Sequence, residues 1–205
     1  MLDEGYIKYQ IDWQLAPAPA ARLIEQLNEC RSYLYKMGLI GMYSNGIGFG
    51  NISQRLSSNN NNNNDGLFVI SGTQTGHLPQ LSPQHYAIVT QYNIAQNWLQ
   101  CKGAIKASSE SLTHAALYQL NPQIDSIIHV HDLKTWEQQL YRLPTTAATV
   151  PYGTPQMAAE IALLYQQTPL PNIKVLVMAG HKEGLISFGK NCHEATEVLI
   201  PYLVR

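Results

Sequence analysis

Charge is scarce in this sequence. Only 13% of its 205 residues are Asp, Glu, Lys or Arg, about half the usual share of a soluble protein. The charges nearly cancel, 13 basic against 14 acidic, leaving a net charge of −1. Without a basic surplus there is no electrostatic reason to expect a nucleic acid or an anionic membrane as partner. Long apolar runs are missing as well, and none approaches the roughly 18 residues of a membrane-spanning helix. The opening stretch MLDEGYIKYQIDW mixes charge with aromatics, unlike a secretory signal. Cysteine is sparse: Cys30, Cys101 and Cys192 are scattered, odd in number and form no CxxC pair. That argues against a disulfide framework and against a thiolate metal cluster, and a reducing cytoplasm is the expected compartment.

What is present is apolar: 45% of the residues are hydrophobic. A chain of this length can close one substantial core, so a single domain over 1–205 is expected, with residues 1–20 as an N-terminal arm. With so little charge, the surface must be neutral and polar or be covered by other subunits.

Along the chain, Leu23, Leu27 and Leu34 recur at helical spacing between Pro19 and Gly38, which predicts a helix within 18–36. GMYSNGIGFGNISQRL reads as a Gly-rich loop running into a short strand. The six consecutive asparagines Asn59–Asn64 predict a flexible hairpin tip over 57–66. LFVISGTQTG reads as a buried strand and a polar turn. LSPQHYAIVTQYNIAQNWLQ suggests a short helix opened by Ser82-Pro83, followed by strand-like or irregular residues. SSESLTHAALYQLNP predicts a helix with a serine N-cap that stops before Pro122. DSIIHVHD is a strand, TPQMAAEIALLYQ a helix, IKVLVMAGHKEGLISFG a strand–turn–strand unit and CHEATEVLIPYLVR a closing helix. The implied fold class is α/β, with a central, mostly antiparallel or mixed β-sheet covered by helices.

Chemistry concentrates in a few short motifs. On a strand, residues i and i+2 share a face, so His129 and His131 of SIIHVHD project in parallel while Val130 packs on the other side. The pair suits shared metal binding, or equally a core histidine beside a strand-end histidine. His181 ends an apolar strand, where a third nitrogen ligand could converge or where a plain turn histidine could sit. Three neutral imidazoles would suit a divalent transition metal such as Zn2+ and leave a coordination position for substrate. Glu110 opens the helix after KASS, a place where a carboxylate often only complements the helix dipole. Ser108, Ser109 and the nearby backbone N–H groups are equipment for gripping a phosphate, and GFGNIS and SGTQTG add two donor-rich loops. GIGFGN resembles the start of a dinucleotide fingerprint, but Asn51 stands in place of the third glycine and a strand follows, not a helix. His114 falls one turn after Glu110 on the same helical face. His77, His85 and His193 read as loop or surface residues, and Glu183 as exposed.

Taken in order, GNISQR, VISGTQTG, ASSESLTHAALYQLNPQIDSIIHVHD, PYGTPQMAAEIA and HKEGLISFGKNCHEA resemble the class II aldolase and adducin family. The similarity runs from about Leu23 to the end, and its most specific part is Ser-Ser-Glu followed by His-x-His, with 19 positions from Glu110 to His129. The resemblance implies a three-layer α/β/α fold with His129, His131 and His181 as ligands of a divalent metal, Zn2+ first. Glu110 would be the catalytic acid/base, and Gly50, Asn51, Ser71, Gly72, Thr73, Ser108 and Ser109 would hold substrate or its phosphate. It further implies a lyase of aldolase type acting on a small hydroxy-carbonyl compound, a sugar phosphate in the fuculose-phosphate aldolase manner, through a metal-stabilised enediolate. The partners would be a small-molecule substrate and three further copies in a homotetramer, with no nucleic acid and no membrane. Dehydration and epimerisation use the same machinery, although a glutamate at position 110 fits aldolases and dehydratases better than epimerases. The adducin branch offers a non-catalytic interaction module as the alternative. The chain departs from the family pattern in HKEGLISFG, two residues longer than the usual His-Gly turn, and in the SGTQTGHLPQL loop. No C-terminal extension with a catalytic tyrosine is evident, and neither Tyr152 nor Tyr202 takes that role from sequence.

Overall fold

The computed structural model describes residues 6–56 and 67–204, so the expected Asn-rich hairpin tip at 57–66 lies outside the described residues. The chain forms strands β1 (Gln10–Leu15), β2 (Gly41–Met42), β3 (Gly48–Phe49), β4 (Asn51–Arg55) and β5 (Phe68–Ser71). They are followed by β6 (Tyr86–Asn93), β7 (Trp98–Gly103), β8 (Ser126–His131), β9 (Val175–Val177) and β10 (Gly184–Gly189). Helices are α1 (Glu25–Lys36), α2 (Ser111–Leu120), α3 (Leu133–Gln139), α4 (Pro155–Gln167), α5 (Leu170–Ile173) and α6 (Cys192–Leu199). Eight strands make one sheet in the order β1-β7-β6-β5-β4-β8-β10-β9, and every pairing is antiparallel except β1 with β7.

Helices cover both faces, as an apolar sheet requires. On one face Leu112, Ala115 and Leu117 of α2 and Met157 and Ile161 of α4 pack with Phe68, Ile70, Ile127 and Ile186. On the other, Leu27, Cys30 and Leu34 of α1 and Ala195 and Leu199 of α6 pack with Ile52, Ile128, Val130 and Leu185. The split follows from the strand period of two: Ile127 and Ile128 are neighbours in sequence yet belong to opposite cores. Strand β8 lies between β4 and β10, and all six of its residues are buried. Any polar side chain there sits in a dry interior and must be satisfied by the protein or by something it holds.

Several local expectations change. Part of the expected arm, Gln10–Leu15, is an edge strand; its side chains are mostly exposed, so no apolar run advertises it. The segment at Ser82-Pro83 is a single 3-10 turn, Pro83–His85, and the residues after it form a regular hairpin, β6–β7. A register shift between Val89 and Gln91 interrupts the alternation that would have signalled that hairpin. Helix α3, which carries its own start signal in the Asp132 side chain accepting from the Thr135 N–H at 2.7 Å, and the short α5 complete the helices. Helix α2 has no serine cap: Glu110 occupies the N-cap position and makes no side-chain capping bond.

Candidate active site

The site is assembled at one end of the central strands. His129 stands opposite Asn51 of β4 and Ile186 of β10, and His131 stands opposite Gly184. The β9–β10 turn delivers His181 to the same place. Its N–H donates to the Met178 carbonyl and its own carbonyl accepts from the Gly184 N–H, so the turn closes tightly around the ring. Gly184 is required there, since a Cβ would lie 2.7 Å from His181 Cδ2 and 3.1 Å from His129 Cε1. Gly50 has a packing reason of its own: with φ at +79°, a Cβ would meet Ile40 Cγ1 at 2.8 Å.

The three Nε2 atoms converge, with His131 Nε2 at 2.9 Å from that of His129 and 3.1 Å from that of His181. Their outer nitrogens explain why. His129 Nδ1–H donates to the Leu185 carbonyl at 3.1 Å, which leaves a lone pair on its Nε2. The Tyr43 hydroxyl donates to Glu183 Oε2 at 2.8 Å and accepts from His131 Nδ1–H at 2.8 Å, so His131 Nε2 carries a lone pair as well. Burial pushes all three imidazoles below the ordinary histidine range, His129 to about 4, and each neighbour's charge pushes His131 and His181 further. Neutral rings with facing lone pairs repel at 2.9 Å; a shared cation turns that repulsion into binding. His129, His131 and His181 thus form a group that could hold a metal ion, and the donor set fits a divalent transition metal.

Glu110 completes the arrangement. Its carboxylate is buried, Oε1 lies 3.8 Å from His181 Nε2, and neither oxygen accepts a hydrogen bond among the described residues. Desolvation lifts its pKa to about 7, against Thr113 and the Lys8 charge, which both lower it. The loss of the expected serine cap is the local counterpart. Ser108 Oγ accepts from the Glu110 N–H at 3.3 Å, and the Ser108 carbonyl accepts from the hydroxyls of Ser111 at 2.6 Å and Tyr9 at 2.8 Å. These bonds fix the turn and leave the Glu110 side chain aimed at the imidazoles instead of at its own helix.

The expected substrate loops do come together. Gly72 bridges Ala107, Thr73 N–H donates to the Lys106 carbonyl, and Ser71 Oγ accepts from Ile52 N–H beside Asn51. In this loop the backbone N–H of Gly72 donates to His85 O and that of Thr73 to Lys106 O, so both are already engaged. Asn51 is buried and its Oδ1 has no partner among the described residues. Ser108 and Ser109 are also buried beside Glu110.

Four further residues shape the site. Tyr43 and Glu183 steady His131, so Glu183 is half-buried and bonded where exposure was expected. Its φ of +72°, unusual outside glycine, comes from the longer HKEG turn. Tyr152 packs its ring 4.3 Å from that of His181, centroid to centroid, and Lys8 Nζ lies 3.8 Å from the Tyr152 ring centroid. His114 is fully buried against Ser53 Oγ at 2.7 Å, and His77 and His85 serve local turns. Only chain crossing puts Tyr43, Lys8 and Tyr152 here; Glu183 was visible as the extra carboxylate in the turn.

The chain matches the Class II Aldolase and Adducin N-terminal domain over residues 32–202. It belongs to that family. Among solved structures it is similar to YgbL of Klebsiella pneumoniae, a putative aldolase/epimerase/decarboxylase, at 22% identity and TM-score 0.61, covering 88% of this chain and 84% of that one. An L-fuculose 1-phosphate aldolase gives 17% identity and TM-score 0.62, covering 90% and 84%. A sugar-phosphate aldolase from Thermotoga maritima gives 16% identity and TM-score 0.61, covering 88% and 94%. At these identities the likeness concerns the fold, which is the expected α/β/α arrangement. No curated protein matches the chain by sequence. Among the described residues no helix is long and apolar enough to cross a membrane.

Proposed function

We propose that the chain is a metal-dependent lyase of aldolase type acting on a small hydroxy-carbonyl compound, with sugar phosphates the first class to test. The observation that carries this reading is the meeting of three imidazole Nε2 atoms with a buried carboxylate 3.8 Å from one of them, whose oxygens have no hydrogen-bond partner among the described residues. His129, His131 and His181 would hold the ion. A divalent cation there, Zn2+ by its fit to three nitrogen donors, would supply Lewis acidity toward the substrate's carbonyl and adjacent hydroxyl.

The chain's own residues do the rest. The Leu185 carbonyl and the Tyr43–Glu183 pair keep two of the imidazoles in the ligating tautomer. Burial raises the Glu110 pKa to about 7 in the metal-free protein, a bound cation would lower it again, and the carboxylate beside the imidazoles is placed to take and return a proton. In the condensation direction it removes the proton from the carbon beside the carbonyl, and after cleavage it returns a proton to that carbon. The rings of Phe49 and Tyr152 pack against His131 and His181 and hold these imidazoles in place. Asn51, Ser108 and Ser109 are the polar groups nearest to hand for the substrate's oxygens, and a phosphate would rely on these side chains more than on the Gly72–Thr73 backbone.

Dehydration and epimerisation start with the same proton removal, so the reaction must be separated by products. A non-catalytic, adducin-like module has no use for a carboxylate buried without a hydrogen-bond partner among the described residues, an arrangement that lowers stability. We further propose a homotetramer, as the sequence resemblance implies, and a cytoplasmic setting, as the scattered unpaired cysteines suggest. The test is a screen of hydroxyketone phosphates and their unphosphorylated analogues against the metal-loaded protein and its Glu110→Gln variant. The proposal expects cleavage products from the wild type and metal without turnover in the variant. Full activity in Glu110→Gln would remove Glu110 from the mechanism.

A further inference from the structure

The second concentration of chemistry lies on the opposite side of the sheet, away from the histidines. Cys30 on α1 and Cys192, the first residue of α6, bring their Sγ atoms to 2.7 Å, although 162 positions separate them. Both are buried thiols. Cys192 Sγ also donates to the Gln26 carbonyl at 3.3 Å, which ties the end of α6 to α1. His193 Nδ1 lies 4.0 Å from Cys30 Sγ. Cys30, itself buried, lines a cavity of about 310 Å³ with Tyr33, His193, Thr196 and Glu197, the side from which a small solute would approach it. Cys192 does not line that cavity.

The two thiols are unequal. Cys30 Sγ–H donates to Cys192 Sγ, while the Cys192 S–H is turned to the Gln26 carbonyl; the contact with Cys192 holds Cys30 below the usual thiol range, against burial, which raises it. The same bond, together with burial, pushes Cys192 upward. The sulfur on the cavity side thus touches one that lies away from it, the division of labour of an attacking and a resolving cysteine. The three groups could in principle ligate a soft cation. Tetrahedral zinc would need the sulfurs about 3.8 Å apart, the edge of a tetrahedron with arms of about 2.3 Å. At 2.7 Å they are much closer together than that.

We propose that Cys30 and Cys192 form an oxidation-sensitive dithiol that a small peroxide, entering through the cavity, converts to a disulfide between α1 and α6. In the first step the Cys30 sulfur gives up its proton and attacks one peroxide oxygen; the S–O bond forms, the O–O bond breaks, and hydroxide leaves and takes up that proton as water. In the second the Cys192 sulfur gives up its proton and attacks Cys30 Sγ; the S–S bond forms, the S–O bond breaks, and a second hydroxide leaves. Two thiols and one hydrogen peroxide thereby become one disulfide and two waters. A thiol reductant reverses the change by exchange. Cys101 serves as an internal control: it is buried in β7, and burial raises its pKa.

The experiment is non-reducing peptide mapping of the full-length protein before and after brief exposure to hydrogen peroxide. The expected result is a fall from three thiols to one, with the peptides of Cys30 and Cys192 linked and separated again by dithiothreitol. Cys192→Ser should accumulate a sulfenic acid on Cys30 that a dimedone probe captures, and Cys30→Ser should leave Cys192 reduced. Three surviving thiols, or Cys101 reacting as fast as Cys30, would overturn the proposal. So would a Zn2+ equivalent that is bound in the His129→Ala/His131→Ala background, lost in Cys30→Ser, and protects both thiols from peroxide.

Discussion

The two faces of strand β8 differ by one residue step and by nearly everything else. Ile128 and Val130 point into an apolar core with Leu27, Leu34 and Leu185, where each buried side chain adds about 1.5–3 kcal/mol to stability. His129 and His131 point the other way, toward His181 and a buried carboxylate, where burial works against the fold. One face stabilises the structure and the other draws on that stability to hold reactive groups out of water. The comparison teaches that the rigidity of the site is supplied from behind: a strand fixed on one face can present two rings in one orientation on the other.

If that division is right, substitutions on the two faces should separate cleanly. The largest effect is expected for His129→Ala/His131→Ala, which should take bound divalent metal from about one per chain to none by elemental analysis, with the fold retained by circular dichroism. Unchanged metal content would break the assignment. Glu110→Gln should keep its metal and lose turnover on the order of 10²–10⁴-fold, the usual weight of a general acid/base.

The opposite face predicts the reverse pattern. Ile128→Ala should cost about 2–5 kcal/mol in denaturant unfolding while metal still binds. A fourth effect sharpens the contrast through pH in metal-stripped protein. The folded pKa of Glu110, about 7, lies above its unfolded value near 4.5, so folding favours the protonated form. Its contribution is therefore harmless below about pH 4.5, turns against the fold as pH rises through that interval, and levels off above 7. Relative to Glu110→Gln, the wild type should lose on the order of 3 kcal/mol across that window. A constant difference between the two proteins would show that the carboxylate is not held as described. The smallest effect should come from Tyr43→Phe, which removes the hydroxyl between His131 and Glu183 and should weaken metal affinity about 10–100-fold without changing stability comparably.

Much of this was legible in the sequence because it is periodic or short-range. The alternation in SIIHVHD put both histidines on one face and Val130 behind them. The family's spacing from Glu110 to His129 pointed to the carboxylate, and the helical stripe of α1 to one covering layer. The missed features are long-range or lack a pattern. Strand β1 is exposed at an edge and shows no apolar run, and the β6–β7 hairpin loses its alternation at the bulge. The contact of Tyr43 with Glu183 spans 140 positions and that of Cys30 with Cys192 spans 162, so no local window could pair them. Scattered cysteines argued against a thiol site for the same reason, and folding brought two of them together. Where the backbone N–H groups of Gly72 and Thr73 already donate is likewise a point that only structure can settle.

The central claim is that the three imidazoles hold one metal ion. It is tested most directly by anomalous diffraction from crystals of the protein soaked with Zn2+, measured above and below the zinc absorption edge. The account predicts one strong peak within about 2.0–2.1 Å of the Nε2 atoms of His129, His131 and His181. No peak there, or a peak only beside Cys30, Cys192 and His193, would contradict it.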